Sequence, residues 1–163
     1  NSSSVNKMSD FLERFEQLSP EKRELLNLFL QEENVQTEEN YVETAEKAIK
    51  EICGKKDRRG RTVAPVTTSK IRNLLAMTAA IYNDVIVCTS EKLSTEIVGR
   101  IQYMKIRFVY EAGREPKVKE LVEKASLLEH LEEIGNSRTQ YLLFSRYMEA
   151  LVAYRKFYGG HDE

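Results

Sequence analysis

The chain contains no tryptophan, and only three prolines and seven glycines among its 163 residues. So few turn-forming residues leave little room for the many reversals of an all-β fold. Cysteine is scarce too. Cys53 and Cys88 stand alone, with no paired-cysteine or histidine-rich neighbourhood. A disulfide scaffold needs more of them, so a reducing, cytoplasmic compartment is expected, and both thiols read as small core fillers. No apolar run approaches the about 18 residues of a membrane-spanning helix, and no secretory leader is visible, so no membrane partner is expected. The opening NSSSVNK, residues 1–7, reads as a vector-derived extension ahead of a native start at Met8.

Catalytic groups are equally thin. The two histidines are His130 and His161. His130 lies in LLEHLEEIG, where a helix-surface histidine flanked by acids is the plain reading, and His161 lies in the tail. The chain has no HExxH, CxxC, Walker loop or GxSxG. Glu132 and Glu133 are adjacent, so on a helix their carboxylates point about 100° apart and do not readily share a proton. No catalytic residue, metal ligand or cofactor is expected.

What the chain has in quantity is helical period. Ser9 and Ser19 are placed to cap helices, with Pro20 in a first turn; Phe11, Phe15 and Leu18 form one apolar stripe, and Leu25, Leu28 and Phe29 another. TEENYVETAEKAIKEICG opens at Thr37 and Asn40 in the manner of a capping box and ends at Gly54, placed as a C′ glycine. Lys55–Val66, KKDRRGRTVAPV, loses the period and reads as a loop. From Thr68 the period returns, with Ile71, Leu74, Leu75, Thr78, Ile81, Tyr82 and Val85 on one face. The next stripe is Leu93, Ile97, Ile101, Met104 and Phe108. Pro116 starts a helix running to Gly135, and a last one, Ser137–Tyr158, packs through Phe144, Tyr147, Met148, Leu151 and Tyr154. Val85–Cys88 resembles a short strand but has no partner strand. The expected fold is all-α, a compact helical bundle with additional N-terminal helices. It has an acidic helical region over 8–54, a basic loop over 55–66 and about four core helices over 67–160, within one domain, 8–163.

The net charge of −1 hides an asymmetry. Residues 1–54 carry six Lys and Arg against twelve Asp and Glu; residues 55–114 carry twelve against five. Three clusters make up the cationic third. The loop holds Lys55, Lys56, Arg58, Arg59 and Arg61, either a solvated charge run or a nucleic-acid contact. The start of the following helix offers the hydroxyl of Thr68 and free N–H groups, with Lys70 and Arg72 behind them; this is simple capping or a phosphate seat. Third, RIQYMKIRFVYEAGR alternates Arg100, Tyr103, Arg107, Tyr110 and Arg114 at spacings of three and four. Residues seven apart on a helix lie nearly in line, so the arginines form a row about 10 Å between neighbours. Guanidinium groups bind phosphate in pairs, and tyrosines bond a backbone oxygen or stack on a base. The competing reading pairs Glu96 with Arg100 and Glu111 with Arg107 along the helix, for a few tenths of a kcal/mol. A basic strip without catalytic or base-reading motifs points to a phosphate backbone held irrespective of sequence. The alternative is a protein-interaction scaffold whose acidic N-terminal helices are the working surface.

Three blocks, TTSKIRNLL at Thr67–Leu75, RIQYMKIRFVYEAGR at Arg100–Arg114 and YMEALVAYRKFYGG at Tyr147–Gly160, closely resemble the small helical subunit of type III-A CRISPR effector complexes, the Csm complexes. The resemblance implies a compact, non-nucleolytic bundle stacked in more than one copy along a filament, opposite backbone subunits that carry the guide RNA. It implies contact with the backbones of guide RNA and target RNA, chiefly target, while neighbouring subunits cut RNA and make cyclic oligoadenylate. Partners would then be both RNAs, the backbone and large subunits, and another copy of the chain. On this sequence the RNA role would fall to Lys70, Arg72, Arg100, Lys105 and Arg107. Residues 8–50 and the loop Lys55–Arg61 match the family pattern least.

Overall fold

The computed structural model describes residues 19–22 and 40–159. The chain divides into two compact units, Asn1–Val35 and Gln36–Glu163. In the first, the Lys22 N–H donates to Ser19 Oγ (3.4 Å) and Pro20 opens a helical turn, as the cap spacing predicts. The extension 1–7, Ser9, the stripes from Phe11 to Leu18 and Leu25 to Phe29, Thr37 and His161 lie outside the described residues.

The second unit holds α1 (Tyr41–Cys53), α2 (Thr68–Ile86), α3 (Thr95–Arg114), α4 (Pro116–Lys124), α5 (Leu127–Ile134) and α6 (Arg138–Gly159). No strand occurs among the described residues, so the fold is an all-α bundle. The apolar stripes read from the sequence are its core: Ile71, Leu74, Thr78, Ile81 and Val85 of α2, and Ile97, Ile101, Met104 and Phe108 of α3, are all buried. α6 is the hub. It packs against α1, α2 and α5, and buries Tyr141, Phe144, Tyr147, Met148 and Leu151.

Local chemistry sets the helix starts. Thr67 Oγ1 accepts from the Lys70 N–H (3.3 Å) to cap α2, and Ser94 Oγ accepts from Ile97 N–H (3.2 Å) to cap α3. Leu93, expected inside that helix, precedes it in the α2–α3 connection and is still buried; its N–H donates to the Asn136 carbonyl (2.7 Å). At the head of α6, Ser137 Oγ accepts from Gln140 N–H (3.2 Å), and Glu91 reaches across from the α2–α3 connection. Its carboxylate accepts from Ser137 Oγ (2.6 Å), Thr139 N–H (3.0 Å) and Thr139 Oγ1 (2.7 Å). The Ser137 hydroxyl, then the Thr139 hydroxyl and N–H, hold the Glu91 carboxyl below its ordinary pKa. A depressed folded-state pKa adds stability above the unfolded value and loses it as pH falls through the folded one. The melting-temperature gap between the native chain and Glu91→Gln should therefore be widest near neutral pH and close as pH drops below the carboxylate range.

Three sequence expectations are corrected here. The helix foreseen from Pro116 to Gly135 is two helices, so the unit has five core helices from Thr68 onward rather than about four. Ser126 breaks it, with φ 52° and ψ 43° in the left-handed region. Serine gives no glycine-like signal there, and the break is held by tertiary contacts instead: the Tyr147 hydroxyl donates to the Ala125 carbonyl (2.8 Å). Gly54 is not a left-handed cap, since its φ is −90°; α1 ends with its N–H donating to the Lys50 carbonyl (2.9 Å). His130 is not on the helix surface. It is 3% exposed, on the same α5 face as Leu127, Leu131 and Ile134, and meets the Tyr147 ring edge-on at 5.0 Å. Its Nδ1 lies 3.3 Å from Glu133 Oε2. The segment read as a basic loop is one, folded as a hydrogen-bonded reversal with an isolated bridge between Lys56 and Thr62. Asp57 organises it: Oδ1 accepts from the N–H groups of Arg59 and Arg61 (2.9 Å each) and Oδ2 from Arg61 Nε (3.2 Å). Gly60, at φ 78°, supplies the left-handed step of the turn.

Arg155, near the end of α6, is buried at 2% exposure and donates from Nε to the Val66 carbonyl (2.6 Å), just ahead of the α2 cap. A Cβ on Gly159 would lie 1.6 Å from its Nη1, so a side chain there would have to displace the Arg155 guanidinium.

Candidate nucleic-acid interface

Helices α2 and α3 run antiparallel, and two ion pairs join their opposite ends. Arg100 at the start of α3 meets Asp84 near the end of α2 (2.5 Å), and Lys70 at the start of α2 meets Glu115 just past α3 (3.0 Å). Arg100 also donates to the Ala80 carbonyl (3.4 Å). The pairing partners are thus on neighbouring elements, not the Glu96 and Glu111 foreseen for Arg100 and Arg107. Glu111 instead stands 4.0 Å from Arg114. Lys105, on the flank of α3 towards α5, pairs with Glu132.

The loop cations divide the same way. Lys55 is held by Glu120 of α4 (2.5 Å) and Arg61 by Asp57, while Lys56, Arg58 and Arg59 are exposed and make no ion pair among the described residues. Arg72 and Arg107 are likewise exposed and make none. Thr68 sits apart from the rest: it is 3% exposed and part of the α2 core face, with Thr67 above it as the cap. The thirteen foreseen residues therefore fall into four kinds. Lys56, Arg58, Arg59, Arg72 and Arg107 are cations open to solvent. Lys55, Arg61, Lys70, Arg100, Lys105 and Arg114 already face a carboxylate. Tyr103 is an exposed ring, and Thr68 is a buried hydroxyl.

The foreseen row lies on α3, and its neighbourhood is more apolar than the sequence reading held. Tyr103 is 61% exposed and Ile106 is 62% exposed, with Val109 and Tyr110 also open to solvent. Ile106 and Val109 were not foreseen as surface groups. The spacing 103, 106, 110 was visible as a second stripe on the same helix, but one stripe per helix is the usual reading. Between α2 and α3 lies an open groove of about 470 Å³, lined by Met77 and Ile81 on one side and by Gly99, Tyr103, Met104 and Arg107 on the other. Among the described residues no three His, Cys, Asp or Glu side chains gather to hold a metal ion, and no helix is long and apolar enough to cross a membrane.

The family model for Csm2 Type III-A matches residues 45–161, from within α1 to beyond the end of α6. The chain belongs to this family. Among curated Csm2 relatives, "CRISPR system Cms protein Csm2" of Streptococcus thermophilus is 46% identical over 126 residues, spanning 77% of this chain and 97% of that one. The protein of the same name from Mycobacterium tuberculosis is 43% identical over 98 residues, 60% of this chain and 79% of its own. That of Enterococcus italicus is 37% identical over 120 residues, 70% and 86%. The resemblance carried by Thr67–Leu75, Arg100–Arg114 and Tyr147–Gly160 is thereby borne out: this is a Csm2-type small subunit of the type III-A Csm complex.

Proposed function

We propose that the chain is a non-catalytic subunit that holds guide and target RNA by their sugar–phosphate backbones, irrespective of sequence, and steadies the duplex within the Csm filament. In this reading it works in the cytoplasm with the backbone and large subunits and a second copy of itself, and supports antiviral defence. The observation that carries the reading is a group of exposed cations that no carboxylate claims among the described residues: Arg72 on α2, Arg107 on α3, and Lys56, Arg58 and Arg59 in the reversal between α1 and α2. An exposed guanidinium without a partner contributes little to a fold, whereas a phosphate gives it two charge-assisted hydrogen bonds. The cation-rich third, 55–114, holds all five, so a net charge of −1 does not oppose binding an anionic strand.

The test is a salt titration of RNA binding. Each phosphate neutralised adds about 0.7 to 0.9 to the log–log slope, so the double variant Arg72→Ala with Arg107→Ala should flatten it by about 1.4 to 1.8 on every RNA sequence tried. The melting temperature should stay put, because both side chains are exposed. An unchanged slope overturns the assignment of these two residues.

A further inference from the structure

The groove between α2 and α3 is built for something other than phosphate. Its floor is apolar, from Met77, Ile81 and Met104, and Gly99 leaves the α3 side without a side chain. One edge carries the exposed ring of Tyr103, and Arg107 stands one turn further along the same helix. At the other end Glu96 lines the mouth, exposed and in no ion pair among the described residues, because Arg100 has gone to Asp84. A flat aromatic face, a greasy floor, a free carboxylate and a free guanidinium lie within one opening. Each of the four has a distinct counterpart in a single nucleotide.

We propose that this groove takes one unstacked nucleobase of a bound RNA strand, with Tyr103 as its stacking platform and Glu96 accepting a hydrogen bond from the base edge, while Arg107 holds the adjoining phosphate. The inference rests on the RNA-binding reading above and extends it from backbone to base. Charge complementarity selects the occupant. A purely apolar protein side chain would fill the floor but leave the carboxylate and the guanidinium at the two ends unanswered. A nucleotide answers both, with N–H donors at one end and an anion at the other. Base stacking on aromatic rings tolerates any base, so the groove adds affinity without a strict code. Its neighbour on α3, lined by Tyr103, Ile106, Arg107 and Tyr110, shares the same ring and the same guanidinium, which places Tyr103 and Arg107 on the ridge between two openings.

The experiment compares an oligoadenylate RNA with an abasic ribose–phosphate strand of equal length and charge, using the full chain and fluorescence anisotropy. The native chain should bind the base-bearing strand on the order of tenfold more tightly. Tyr103→Ala should lose that advantage on oligoadenylate and bind the abasic strand as the native chain does. Arg107→Ala should weaken both strands alike and flatten the salt dependence of both. Equal affinity of the native chain for the two strands overturns the groove's role and gives it to a protein side chain, with backbone binding untouched. Failure of both strands to bind overturns the RNA reading itself. A Tyr103→Phe variant guards the ring assignment: it should behave as the native chain, and a loss equal to that of alanine would show that the hydroxyl, not the stacked face, makes the contact.

Discussion

Alanine at Tyr147 should destabilise the bundle by about 3 to 5 kcal/mol, the usual range for truncating a buried aromatic side chain. For a chain of this size that corresponds to a melting temperature roughly 10 °C lower. The ring is fully buried at the centre of α6, and it abuts His130 of α5 edge-on. Its hydroxyl is the donor for the Ala125 carbonyl at the break between α4 and α5. Burial pushes the phenol pKa up, so the proton needed for that bond is retained at neutral and alkaline pH. Tyr147→Phe isolates the polar part: it keeps the packing, leaves a buried carbonyl without its donor, and should cost about 1 to 3 kcal/mol. Urea denaturation of the three proteins measures both. A phenylalanine variant as stable as the native chain would show that the break at Ser126 does not depend on this bond.

The second large effect concerns affinity rather than stability. Asp84, Glu115 and Glu132 hold Arg100, Lys70 and Lys105 in ion pairs on the surface of α2, α3 and α5. All three carboxylates are substantially exposed, so each pair is worth only about 0–1 kcal/mol and its loss is a small cost to the fold. Neutralising the three as Asp84→Asn, Glu115→Gln and Glu132→Gln removes three negative charges beside the proposed interface and releases three cations to it. The slope of log affinity against log salt should steepen by about 2 to 3, with affinity at low ionic strength up by roughly one to two decades. A slope identical to that of the native chain would mean that these cations serve only to tie helices together, and that the RNA reading rests on the unpaired set alone.

These pairs also mark the boundary of what a linear sequence discloses. Apolar period is a local property, and the stripes of α2, α3 and α6 were legible because residues three and four apart on a helix share a face whatever surrounds them. The start of α2 at Thr67–Thr68 was legible for the same reason, whereas the α3 cap at Ser94 was not, because Leu93 continued the apolar stripe one residue past it. Ion pairing was not. Arg100 has a suitable carboxylate four residues earlier, yet it reaches across to the next helix, because the antiparallel contact of α2 and α3 brings Asp84 closer. His130 was misread because its acidic neighbours in sequence drew more weight than its place between Leu127, Leu131 and Ile134, which is the core face. The groove required two helices to meet before it existed at all. Its ring and cations could be named from one helix, but its floor is shared with Met77 and Ile81 of another.

The position of α6 in the chain bears on how the bundle is made. The partner against which α1 and α2 pack is the most C-terminal of the described helices, and the bond from Arg155 to Val66 joins residues 89 positions apart. A nascent chain emerging from the ribosome therefore exposes the apolar faces of its earlier helices until the codons for Arg155 to Gly159 have been read and those residues have cleared the exit tunnel. Ribosomes stalled a few codons short would present an open, adhesive half-bundle rather than a slightly shortened protein.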